Sequence, residues 1–114
     1  MTAKPDPKLA GLLQIATVLA DRACQDLARA TRDCAALEVR LDTLSQMTAQ
    51  AVSVAPDLAE EAIVAKWQRA RNDRRADLLQ HLAIAQAKRL EKQAYARQAE
   101  GRRQALESLV TQAS

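Results

Sequence analysis

The chain is expected to be all-α, a long antiparallel two-helix coiled-coil hairpin, and three observations lead there. The first is composition: 25 of the 114 residues are Ala, with one Trp, one Tyr, no Phe and only two Gly. Alanine has the highest helix propensity, and with Leu, Arg, Glu, Lys and Gln it makes up long helices and coiled coils. The second is patterning. Apolar residues recur at spacings of three and four along nearly the whole chain, and no β-branched or aromatic run suggests a strand. The third is punctuation, because the helical pattern clearly stops only once in the interior, at Ser53-Val54-Ala55-Pro56-Asp57. Pro56 has no backbone N–H and pushes Ala55 out of helical dihedrals, so a first helix must end before it. Long helices joined by a short connection lie antiparallel. The pattern predicts one domain, with a helix over about 7–50, a turn over about 51–56 and a second helix over about 57–112.

The first helix opens at Asp6-Pro7, with Asp as N-cap and Pro at the first helical position. Its core row steps through Leu9, Leu12, Ala16, Leu19, Ala23, Leu27, Ala30, Cys34, Leu37, Leu41 and Leu44. Two consecutive fours, Leu19 to Ala23 to Leu27, predict a stutter where supercoiling relaxes. The clearest seam is Leu27 to Leu44, and Met47 to Ala51 is expected to fray into the turn. Cys24 and Cys34 stand about 15 Å apart on one helix, too far for a disulfide within it. They read as small near-core thiols, with an intermolecular disulfide on oxidation as the alternative.

The second helix opens at Asp57 as N-cap, with Glu60 three residues on as in a capping box. One row runs through Leu58, Ala62 or Ile63, Trp67, Ala70, Arg74 and Leu78. It extends through Leu82, Ala85, Arg89, Ala96, Ala99, Arg103, Leu106 and Val110. Leu79, Leu90 and Ala94 argue for a neighbouring seam, and the sequence leaves both registers open. Gly101 costs about 1 kcal/mol relative to Ala inside a helix. It is either tolerated or marks a bend or close approach. At about 1.5 Å per residue the helices would be on the order of 65 and 80 Å long. An alanine-rich seam buries little apolar area, so such a hairpin is expected to gain stability from a partner.

Much chemistry is excluded. A metal site needs clustered ligands, and the chain has one His, His81, and no Cys-x-x-Cys. His81 reads as a surface residue. No phosphate loop or activated nucleophile is present, and a two-helix rod offers no water-excluding pocket, so neither catalysis nor a cofactor is expected. No stretch approaches the 18 to 20 apolar residues of a membrane span, and the first residues lack a secretory apolar core. A soluble cytoplasmic protein is the expectation.

Residues 1–50 carry six basic and six acidic side chains, so the formal charge of +3 comes from the second half. There the basic residues cluster as Lys66, Arg69, Arg71, Arg74 and Arg75, then Lys88, Arg89 and Lys92, then Arg97, Arg102 and Arg103. They face either an acidic partner or solvent. Specific nucleic-acid binding is not expected, because the net charge is small, stacking aromatics are nearly missing and no DNA-reading layout appears. Membrane binding is less favoured still, since the apolar faces are needed for the seam. Trp67 is either a core anchor near the turn or an exposed interface aromatic among arginines.

Leu12 to Ala20 reads Leu-Leu-x-x-Ala-x-x-Leu-Ala; alanine-rich heptads follow, and Trp67 lies just past the midpoint turn. The chain closes on Arg97-Gln98-Ala99-Glu100-Gly101-Arg102-Arg103-Gln104-Ala105-Leu106-Glu107-Ser108-Leu109. This arrangement resembles the FliJ/YscO family of type III export proteins, small stalk components of the flagellar and injectisome export ATPase. The resemblance covers most of the chain as a pattern. It implies a non-enzymatic stalk or chaperone whose paired terminal ends enter a hexameric export ATPase and whose turn-proximal part contacts the export-gate membrane protein. Arg97, Arg102 and Arg103 would then suit the ring, and Trp67, Arg71, Arg74 and Leu78 the gate. The alternatives are a structural coiled coil, such as a homodimeric four-helix bundle, and a weak nucleic-acid-binding helical protein.

Overall fold

The computed structural model describes the backbone of residues 6–54 and 61–113 and the side chains of residues 6–49 and 63–113. All but Asp6 of this backbone lies in two helices, α1 (Pro7–Val54, 48 residues) and α2 (Glu61–Ala113, 53 residues). They pack together as an all-α hairpin. Pro56, the Asp57–Glu60 cap and Leu58 lie outside the described residues, as does the side chain of Ala62. Rather than fraying after Met47, α1 continues through Val54. Its start follows the local chemistry. Asp6 Oδ1 accepts the Lys8 N–H at 2.9 Å and the Asp6 carbonyl accepts the Ala10 N–H at 3.1 Å. Pro7 then fills the first helical position, where a missing N–H costs nothing.

The chain divides into two compact units, one from the described residues of Met1–Thr31 with Lys88–Ser114, the other from those of Arg32–Ala87. In the first unit a cluster of Ala20, Ala23, Ala96 and Ala99 forms the core, with Leu27 packed against it. Leu12 shares a groove with Leu106, and Leu27 shares one with Gln93, so rising numbers on α1 meet falling numbers on α2. The helices are antiparallel. Alanine at these positions lets two backbones approach closely, at the expense of burial energy, which scales with apolar area.

The buried and half-buried positions of α1 are Leu9, Leu13, Ala16, Ala20, Ala23, Leu27, Ala30, Cys34, Leu37, Leu41, Leu44 and Thr48, with Ala10, Gly11, Thr17 and Asp26 at its edges. The main row alternates four and three without a break. Leu13 and Ala20 therefore stand where Leu12 and Leu19 were expected, and the expected stutter is absent. An unbroken heptad keeps one stripe against the partner along the whole helix. Choosing the larger leucines would have required the two consecutive fours. In α2 the register is the first of the two open ones. Leu82, Arg89, Ala96, Arg103 and Val110 repeat at sevens, as do Leu78 with Ala85 and Ala99 with Leu106, and all are buried or half-buried. Leu79, Leu90 and Ala94 face outward. Only at Gln93, half-buried in place of Lys92, does the row shift by one residue.

Gly101 lies inside uninterrupted helix, and a Cβ built on it meets nothing within 4 Å. The expected alternative of a close approach is therefore removed. In the second unit Cys34 is buried and Leu37, Leu41 and Leu44 are half-buried on α1, with Leu78, Leu82 and Ala85 half-buried on α2. Toward the start of α2 the expected row fails, because Ile63, Trp67, Ala70 and Arg74 are all exposed. The half-buried positions there are Ala65 and Arg71, the latter one heptad before Leu78.

Candidate protein-docking surface

The residues singled out in the sequence fall into separate places. In the second unit Trp67 is 41% exposed, which removes the core-anchor reading, and the Arg71 guanidinium lies over its ring, 5.4 Å from the centroid. The spacing of four on a helix brings the two side chains together, and the ring's negative face attracts the cation. Arg74 is exposed and Leu78 half-buried on the seam. Ile63 and Val64 lie near Trp67 in sequence and are also exposed, so the start of α2 presents an apolar and basic surface.

In the first unit Arg97, Arg102 and Arg103 diverge. Arg103 sits on the seam row and is held along its own helix. Its Nη2 donates to Glu100 Oε1 at 2.5 Å and its Nε to both Glu100 oxygens at 3.0 Å; Nη1 donates to Glu107 Oε2 at 2.7 Å. Gln104 Nε2 adds a donor to Glu100 Oε1 at 3.4 Å. Hydrogen bonding from Arg103 lowers the Glu100 pKa below the ordinary carboxylate value, with partial desolvation opposing it. The same bond to Glu100 raises the Arg103 pKa above its ordinary value. Arg103 is therefore paired along its own helix. Arg97 is exposed and lines one groove between the helices, with Gln93, Glu100 and Gln104. Arg102 lines the groove on the other side, and no described residue forms an ion pair with it.

That second groove is the feature sequence reasoning missed. It is lined by Leu12, Ile15, Ala16 and Leu19 from α1 and by Tyr95, Ala99, Arg102, Ala105 and Leu106 from α2. Leu12 is 50% exposed, Ile15 59% and Leu19 44%, and Val18, Tyr95 and Leu109 are also exposed. Leu12 and Leu19 had been placed in the hairpin seam. The signal was present, since two consecutive fours are what a row shows when it drifts off its face. Scattered exposed leucines are ordinary, whereas contiguous ones mark an interaction surface.

Among the described residues, no group of three or more His, Cys, Asp or Glu could hold a metal. The His81 ring Nδ1 lies 2.7 Å from the Asp77 carbonyl oxygen of its own helix. Cys34 is buried and Cys24 exposed, both free thiols. No described helix is long and apolar enough to cross a membrane. Comparison with known protein families, curated proteins and solved structures finds no match to this chain.

Proposed function

We propose that this chain is a non-enzymatic coiled-coil stalk or chaperone of a flagellar or type III protein export apparatus, acting at its cytoplasmic face. The observation that carries an interaction role is the exposed apolar face of Leu12, Ile15 and Leu19 beside Tyr95, next to a core built from alanine. A hairpin with so thin a core and so large an uncovered leucine face has more to gain from a partner than from further packing of its own. The export assignment itself rests on the resemblance of the alanine-rich heptads, Trp67 and the segment Arg97 to Leu109 to the stalk family. Under it, the end of the hairpin that carries Arg97, Arg102 and Arg103 engages the export ATPase hexamer. Trp67, with Arg71 over its ring, Arg74 and Leu78 contact the export gate. A homodimeric four-helix bundle is the rival reading, which the same exposed face favours.

Light scattering on the chain alone and with the cognate export ATPase separates the two. A lone monomer that joins the ATPase at one copy per hexamer supports the stalk. A tight homodimer indifferent to the ATPase rejects it.

A further inference from the structure

We draw no further inference here: the strongest candidate, the apolar groove of the first unit between Leu12, Ile15 and Leu19 on α1 and Tyr95, Arg102 and Leu106 on α2, carries none, because its helix stripes hold acids (Asp26, Glu91) as well as Arg102 and nothing in the structure shows what covers it.

Discussion

Arg102 and Arg103 are neighbours in sequence with opposite circumstances. One turn of helix places Glu100 and Glu107 within reach of Arg103, while Arg102 lines the groove with Leu106 and Tyr95. A charge count treats them alike, since only the helix face on which each lies separates them. The lowered Glu100 pKa has a directional consequence. A carboxylate whose folded pKa lies below its unfolded value stabilises the fold above the unfolded pKa, and that contribution is lost as pH falls through the folded one. Glu100→Gln should therefore lower the melting temperature at neutral pH, and the difference from the parent chain should vanish on acidification below the ordinary carboxylate range. A gap that persists in acid would mean that the Glu100 charge is not its source. Gly101 gives a second residue-level prediction. The space around it is open and the backbone is helical, so Gly101→Ala should stabilise by about 1 kcal/mol. For a chain near this size that is a rise of about 4 °C or more in melting temperature, read by thermal circular dichroism.

At the scale of the element, α1 is governed by regular spacing more than by side-chain size. Its seam takes Leu13, Ala16, Ala20 and Ala23 and leaves Leu12, Ile15 and Leu19 outside. Opposite substitutions follow from that choice. Ala23 is 1% exposed, so Ala23→Leu would overpack the helix contact and cost about 1–3 kcal/mol. Leu19→Ala removes an exposed side chain from the isolated chain and should cost within about 0.5 kcal/mol. Denaturant unfolding of the two variants measures both, and a larger loss for Leu19→Ala would return Leu19 to the seam. The helix start carries a local contribution too. The Asp6 carboxylate accepts the Lys8 N–H, so Asp6→Ala should cost about 1 kcal/mol.

At the scale of the whole molecule the described core consists of Ala16, Ala20, Ala23, Cys34, Ala96 and Ala99, with no large side chain fully buried. Small residues allow a close helix pair but bury little area, so the isolated hairpin is expected to unfold at modest denaturant concentration. A bound partner adds stability by mass action, about 2.7 kcal/mol at a hundredfold excess over its Kd. The melting temperature should therefore rise with partner concentration, and a partner that binds without raising it would be engaging the unfolded chain as well.

The sequence by itself determined that the chain is all-α, that α1 begins at Asp6-Pro7 and that two long helices pair. These follow from alanine content, capping chemistry and the spacing of apolar residues, which act within a few residues of one another. For α2 the sequence offered two registers, and only the packed structure selected the one from Leu82 through Val110, whose seven-residue repeats persist even where arginine occupies them. Tertiary structure alone decided which of several adjacent apolar residues on α1 met α2. Leu12 and Leu13, or Leu19 and Ala20, are equally able to sit in a helix. The choice belongs to the partner helix, whose own alanines at 96 and 99 admit a close approach and hold one continuous stripe. The apolar groove is a product of that choice; the two consecutive fours at Leu19, Ala23 and Leu27 marked where the row left its face, but only the paired helix shows what that leaves exposed.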